Sequence, residues 1–406
     1  MDDMNILFIT NYDVSPLNGG IDRVVNILAE ELNKLPNCQI FSAYFETKNT
    51  PTDIFIKKLK VEKKNIVSTL SDFVKKNKIE IILNNVPSYK KLKFLLPALQ
   101  HISKQEHPCK ILFHYHTLPG FEKATIYPKM YWSRLVNGQF KPVYIFKLIQ
   151  QIIVRLVGNK LLEYHLIKKY RSMYQFSDKI VLLSRALIPV FANCANLPVD
   201  DKFVAINNAL SFSDNINIDL IYRKQKEALI VARLDEVSKR LSVALKIWKK
   251  IESNPLLTEW RLTIVGDGED KIYYQRLAKR LQLKRVFFEG VQAPKTYYER
   301  ASVFFMTSAI EGFPMTLTEA QQMGVVPVAF DSFGAVHDVI ENKYNGMIVP
   351  NNDIDNYIEQ LTWLMLNDKE RQTMAHNAVE SSKRFHPSEI IKQWVALFEM
   401  IRDPRV

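Results

Sequence analysis

Cysteine is scarce: the 406 residues hold three, Cys38, Cys109 and Cys194, far apart and in no metal-ligand spacing. An odd number of scattered thiols argues against a disulfide framework or a zinc site and fits a reducing compartment. No run of about 18 uncharged apolar residues is available to span a bilayer. The nearest candidate, "PVYIFKLIQQIIV", is interrupted by Lys147, Gln150 and Gln151. The start, "MDDMNILFIT", carries two aspartates where a secretory leader would be positive, and its apolar run is short, so it reads as a first strand. No short-period repeat is visible. The full glycine pattern of the dinucleotide fingerprint is missing from both "NGGIDR" and "GDGEDK", which disfavours a nicotinamide or flavin cofactor.

What is present is ordinary globular material, 47% hydrophobic and 24% charged, in a chain long enough for about two domains of 150 to 200 residues. The formal charge of +12 is unevenly spread. Residues 1–208 hold 29 Lys/Arg against 17 Asp/Glu, whereas residues 209–406 hold 26 against 26. A basic first half faces either an anionic surface, nucleic acid or membrane, or simply solvent through a lysine-rich exterior.

Short apolar runs separated by helical periodicity predict parallel sheets with crossover helices. In the first half these are "NILFIT", "QIFSAYF", "IEIILNNV", "KILFHYH" and "KIVLLS", with a helix over "IDRVVNILAEELNKL" in which Val24, Ile27, Leu28, Leu32 and Leu35 share a face. After a polar stretch the alternation restarts with "ALIVARL", "WRLTIVG", "RVFFEG", "SVFFMTS", "VVPVAF" and "NGMIVP". The expected class is therefore α/β, with two Rossmann-like domains and a cleft between them. We place the first domain at residues 1–208, a linker at 209–226 and the second domain at 227–385. A C-terminal helix at 386–406 could pack on either domain. Ligands of such sheets sit beyond the carboxyl ends of the strands.

The residues with chemistry fall in such loops. "EGFPMTLTE" holds Glu311 in the loop after one strand and Glu319 on the following helix, which Pro314 suits as a first-turn residue. Backbone positions roughly 8–12 Å apart do not suit a hydrolytic carboxylate pair about 5 Å apart. Two grips on one elongated ligand fit better, with the amides of Met315, Thr316 and Leu317 as an anion site between them. "VARLDEVSKRLSVAL" brings Arg233 and Lys239 near a helix start, where two cations imply an anion such as a diphosphate. Arg240 reads as an ordinary loop charge. The double glycine of "PLNGG", Gly19 and Gly20, permits close backbone approach. In "FHYHTLPG" alternation puts His114 and His116 on one face, His116 further out and the better ligand candidate, His114 the better core residue.

In this order, with "INNAL", "IVGDGE", "FFEGV" and "EGFPMTLTEAQQMGVVPVAF", the motifs resemble those of the retaining glycosyltransferases of family 4, also called group 1, across essentially the whole chain. The resemblance implies the GT-B architecture of two facing Rossmann-like domains. It also implies that Arg233 and Lys239 bind the donor diphosphate, and that Glu311 contacts the transferred sugar with the amides of Phe313 to Leu317. Glu319 would hold the ribose hydroxyls, Gly20 would approach the diphosphate, His116 would contact the sugar, and backbone around Gly266 and Val291 would frame the base. The sequence departs from the family with Ala232 where many relatives have Gly, and with "INNAL" for Pro-Asn-Gly. No metal site and no cofactor are implied, the nucleotide sugar, UDP- or GDP-linked, being substrate.

Residues 123–171 carry ten Lys/Arg against one acid, interleaved with Tyr127, Tyr131, Trp132, Phe140, Tyr144 and Phe146. Basic and aromatic residues together suit an interfacial membrane segment, as "SYKKLKFLLP" does to a lesser degree; a nucleic-acid surface would use similar residues and a solvated or acceptor-lid helix is the bland alternative, the membrane being preferred beside a sugar-transfer site. The expected protein is thus a cytoplasmic hexosyltransferase with a glycan or lipid-linked acceptor, peripheral at the inner face of the plasma membrane and not bound to nucleic acid. The rival readings are an epimerase on the same fold and a non-enzymatic nucleotide-sugar or nucleic-acid binder.

Overall fold

The computed structural model describes residues 4–86, 89–105, 109–124, 131, 132, 135, 142–157, 160–212 and 216–402. The chain forms two compact units, each around its own parallel sheet.

The first unit comprises Met1–Pro119, Glu163–Ser211 and Arg384–Val406. Its strands are β1 (Met4–Tyr12), β2 (Cys38–Glu46), β3 (Lys57–Lys60), β4 (Ile81–Asn84), β5 (Lys110–Tyr115), β6 (Lys179–Leu182) and β7 (Phe203–Ala205), ordered β3-β2-β1-β4-β5-β6-β7. Every pairing is parallel, with Ile6 opposite Ile40 and Ile81. A parallel sheet is covered on both faces, so its inner strands are continuous apolar runs; Ile6, Leu7, Phe8 and Ile9 are all fully buried. The two edge strands, "KKLK" and "FVA", escape a search for such runs. Three lysines in β3 suit an edge, where charge discourages pairing with another chain.

The helix Gly20–Asn33 buries Val24, Leu28 and Leu32 on one face, as its periodicity predicts. The helix Tyr89–Ile102 uses Leu92, Leu95, Ala98 and Leu99 as core, so the apolar side of "SYKKLKFLLP" is largely spoken for within the fold. The C-terminal helix Pro387–Arg402 joins the first unit. Its Ile390, Trp394, Leu397, Phe398 and Ile401 share one core with Ile6, Phe8, Leu28 and Leu32.

The second unit comprises Gly120–Leu162 and Phe212–Lys383. Its strands β8 (Gln225–Val231), β9 (Arg261–Val265), β10 (Val286–Gly290), β11 (Ala301–Met306), β12 (Val326–Asp331) and β13 (Met347–Pro350) are ordered β10-β9-β8-β11-β12-β13. Two boundaries differ from those expected. Residues 120–162 group with this unit because Tyr131 and Tyr144 form a small cluster with Leu135, Leu148 and Val237. The stretch expected as a linker is packed at both ends: Leu210 is buried in the first unit, and Ile221 in the core of the second.

In both sheets the chain winds outward in one direction and then the other. The reversals fall between β1 and β4 and between β8 and β11, and these switch points are where such sheets leave a crevice at their carboxyl ends.

Trp394 is 2% exposed and also meets His114 edge-on at 4.9 Å. Trp394→Ala should cost the first unit about 3–5 kcal/mol, measured as a lower denaturant midpoint in urea unfolding.

Candidate functional site

Beside the second sheet's switch point the loop after β8 lies directly against the loop after β9. Gly266, at φ +137°, could not carry a side chain, since a Cβ would stand 1.9 Å from the Ala232 carbonyl oxygen; at Gly268 it would stand 2.4 Å from that of Leu234. The loops are then laced together. Leu234 N donates to Asp267 O at 2.9 Å, and Asp270 N to Leu234 O at 3.0 Å. The carboxylate of Asp270, 1% exposed, accepts from Glu236 N at 2.9 Å. Gly266 is therefore explained by backbone contact, whatever else it frames, and Asp270 is a supporting residue that the motifs alone did not single out.

This lacing aims the short helix Glu236–Lys239. Asp235 caps it by accepting from Val237 N at 3.1 Å. Arg240 then turns the chain at φ +48° into the helix Leu241–Glu252. Arg240 is no ordinary loop charge. Its guanidinium donates to the carbonyls of Thr307 and Ser308 at 2.9 and 3.1 Å and to Asn352 Oδ1 at 2.8 Å, fastening the helix to the end of β11. Ala309 N donates to Ser238 O at 2.7 Å, completing the join.

Lys239 and Glu311, 72 residues apart, meet as a result. Lys239 Nζ donates to Glu311 Oε1 at 2.5 Å, with side chains 20% and 12% exposed. Arg233 is 70% exposed, and among the described residues its side chain pairs only with Asp235, at 2.9 Å. An exposed pair of that kind is worth about 0–1 kcal/mol, so Arg233 gives it up readily.

Beyond Glu311 the helix runs Met315–Gln322, with Pro314 as its cap residue. The expected trio of free amides is reduced to one. Met315 N donates to Phe313 O at 3.0 Å and Leu317 N to Pro314 O at 2.8 Å, because the Gly-Phe-Pro turn closes on itself; no hydrogen bond from Thr316 N to the protein occurs among the described residues. Phe313 and Leu317 have buried side chains. Glu319 is 1% exposed, and Tyr298 Oη donates to its Oε2 at 3.0 Å, so it is a buried, held carboxylate and not a free surface glutamate. Val291, past the turn at Gly290, is 78% exposed.

In the first unit Gly20 opens the helix Gly20–Asn33 behind Gly19, whose φ of +140° favours glycine; a Cβ on Gly20 would meet nothing within 4 Å. His114 and His116 are both buried, their ring centroids 3.9 Å apart. Both face one acceptor, Asn85 Oδ1, His114 through Nδ1 at 3.1 Å and His116 through Nε2 at 2.8 Å. Asn85 donates its own amide to Leu83 O at 3.1 Å, which turns the oxygen toward the rings. Each imidazole must then be the donor, leaving His116 Nδ1 as a buried acceptor with no partner among the described residues. Burial pushes the His116 pKa from 6.5 down to about 3, and burial with the neighbouring ring pushes His114 well below its ordinary value. Asn85 had no motif to reveal it. Among the described residues no three His, Cys, Asp or Glu side chains group so as to hold a metal ion.

Residues 211–381 match the family model described as glycosyl transferases group 1. The chain is 28% identical over 197 residues to the Campylobacter jejuni GalNAc-α-(1→4)-GalNAc-α-(1→3)-diNAcBac-PP-undecaprenol α-1,4-N-acetyl-D-galactosaminyltransferase, covering 48% of this chain and 54% of that protein. It is 32% identical over 179 residues to the amylovoran biosynthesis glycosyltransferase AmsD of Erwinia amylovora, covering 43% and 49%. The chain thus spans about half the length of these curated relatives. Among solved structures, Anabaena HepE in complex with UDP and glucose superposes with a TM-score of 0.68 at 16% identity over 98% of this chain and 99% of that one. WaaG, a glycosyltransferase involved in lipopolysaccharide biosynthesis, superposes at 0.66 and 14% identity over 97% and 99%. At these identities the likeness shows the fold, which is GT-B.

Two consequences can be measured. Gly268→Ala forces backbone apart at the loop contact and should lower the second unit's melting temperature by several degrees, more than Gly20→Ala lowers that of the first, by calorimetry. The histidines stay neutral when folded and take up protons only on unfolding below about pH 6.5. The contribution of His116 is therefore full above that pH and falls toward about pH 3, at about 1 kcal/mol per pH unit, and burial of His114 acts in the same direction. In unfolding curves between about pH 7 and pH 5, His116→Gln should show a shallower loss of stability than the wild type.

Proposed function

We propose, on the premise that residues 211–381 are a group 1 glycosyltransferase domain, that the protein moves a hexose from a UDP- or GDP-linked sugar to a hydroxyl acceptor. The transfer retains the anomeric configuration and needs no metal. The observation that carries this reading is the Lys239–Glu311 pair at the second sheet's switch point, with exposed Arg233 on the same loop.

In the pair each charge holds the other. An arriving diphosphate offers the Lys239 ammonium and the Arg233 guanidinium a doubly charged partner, and Glu311 becomes available to accept from sugar hydroxyls. The bond between the anomeric carbon and the diphosphate oxygen then breaks, and Lys239 and Arg233 stabilise the charge gathering on the leaving oxygen. The acceptor oxygen bonds to the same face of the anomeric carbon, and its proton passes to the departing phosphate oxygen. Thr316 N supports the phosphate, and Glu319 the ribose, with backbone at Met315, Gly266 and Val291 around them. For Gly20, at a helix start, and for neutral His116, whose Nδ1 has no partner among the described residues, the roles proposed are those that the family resemblance implies.

The acceptor we favour is a lipid-linked oligosaccharide in surface polysaccharide assembly. That choice follows the Campylobacter and Erwinia relatives and the basic first half, which also supports the reading of an enzyme peripheral at the inner face of the plasma membrane.

Transfer assays over a panel of nucleotide sugars test this reading. Lys239→Ala and Glu311→Gln should each lower turnover about 100- to 1000-fold; wild-type turnover of every accepted donor in both variants would remove the site assignment. The cognate nucleoside diphosphate, at about 100 times its dissociation constant, should add about 2.7 kcal/mol to stability in a thermal-shift series.

A further inference from the structure

The helix Pro142–Val157 has two unlike sides. Tyr144 is 3% exposed and packs with Tyr131, ring centroids 6.1 Å apart, and with Leu148 and Val237. Ile145, Phe146, Ile149, Ile152 and Ile153 are 41–68% exposed. At about 100° per residue these five occupy roughly a third of the circumference. Trp132, beside Tyr131 in sequence, is 63% exposed as well. Isolated exposed apolar side chains need no explanation, but five on one helical face are a surface held for a partner.

Charge identifies the partner. The sequence 123–171, which contains this helix, carries ten Lys/Arg and one acid, and on the helix itself Lys147 Nζ lies 5.7 Å from the Tyr131 ring centroid. A second copy would bring the same excess of positive charge against itself. An apolar stripe in a basic setting with exposed aromatics matches an anionic bilayer surface, where such helices lie in the plane of the headgroups. Among the described residues no helix is long and apolar enough to cross a membrane.

We infer that the exposed face of helix 142–157 docks on an anionic lipid surface, while its opposite face, through Tyr144 and Leu148, rests on Val237, two residues from Lys239. The bilayer contact and the candidate donor site are then parts of one packed unit. The inference rests on the transferase reading only in its purpose, which is to hold that site next to a membrane-borne acceptor.

The test uses the full chain and sedimentation with vesicles of phosphatidylcholine alone or mixed with phosphatidylglycerol. Binding to the mixed vesicles should exceed binding to phosphatidylcholine and weaken with added salt. The double variant Phe146→Asp, Ile149→Asp should lose roughly a hundredfold in vesicle affinity, about tenfold for each side chain removed from the interface. Its melting temperature and its transfer to a short water-soluble acceptor should stay at wild-type levels, while transfer to an acceptor presented in vesicles falls. Equal binding to both vesicle types, wild-type vesicle affinity in the double variant, or a change in the variant's oligomeric mass without lipid would each overturn the docking assignment. Failure of the wild type to transfer to any acceptor would instead count against the transferase reading and leave the vesicle result standing.

Discussion

The contact between two loops at the carboxyl end of the second sheet governs the rest of that unit's site. A Cβ on Gly266 or Gly268 would enter the backbone of Ala232 or Leu234, so only glycine lets the loops close. Once closed, Asp270 can receive Glu236 N, the helix Glu236–Lys239 takes its direction, and Arg240 can reach the carbonyls ending β11. Lys239 meets Glu311 at the far end of this chain of contacts. Few of these links bury much apolar surface. Their value is directional, since each buried amide or carboxylate that found no partner would cost about 1–3 kcal/mol.

The two units handle polarity in opposite ways. In the second, opposite charges are brought together and kept partly in water, where Arg233 can exchange one partner for another at little cost. In the first, charge is refused. His114 and His116 are neutral because burial penalises the imidazolium, and one amide oxygen, that of Asn85, orients both rings. A charged diphosphate suits the charged kind of surface, and an uncharged sugar the neutral kind.

The architecture also separates sequence order from spatial grouping. Residues 120–162 leave the first unit's stretch of chain to pack with the second, and the last helix returns to the first through Trp394 and its neighbours. The apolar side of helix 142–157 that packs on protein meets Tyr131 and Val237; the exposed side is the proposed lipid face.

Much of this was legible without coordinates, for a physical reason that also marks the limit. Inner strands of parallel sheets are apolar on both faces, so β1, β2, β4 to β6, β8, β9, β11 and β12 stand out as runs; of the edges, β10 and β13 carry enough apolar residues to stand out as well, while β3, with three lysines, and β7, three residues long, do not. Arg233, Lys239, Glu311 and Glu319 lie close after strands in a recognisable order, so sequence alone nominated them. It could not show that two of the three expected free amides are used inside the Gly-Phe-Pro turn, that Glu319 is buried under Tyr298, or that Arg240 is a fastener. Nor could it connect Asn85 to histidines 29 and 31 residues further on. Local periodicity and motif order are written in neighbouring residues and determined the fold class and the candidate set. Hydrogen-bond partners and the pairing of Lys239 with Glu311 depend on distances across the chain, which only the packed sheets decide.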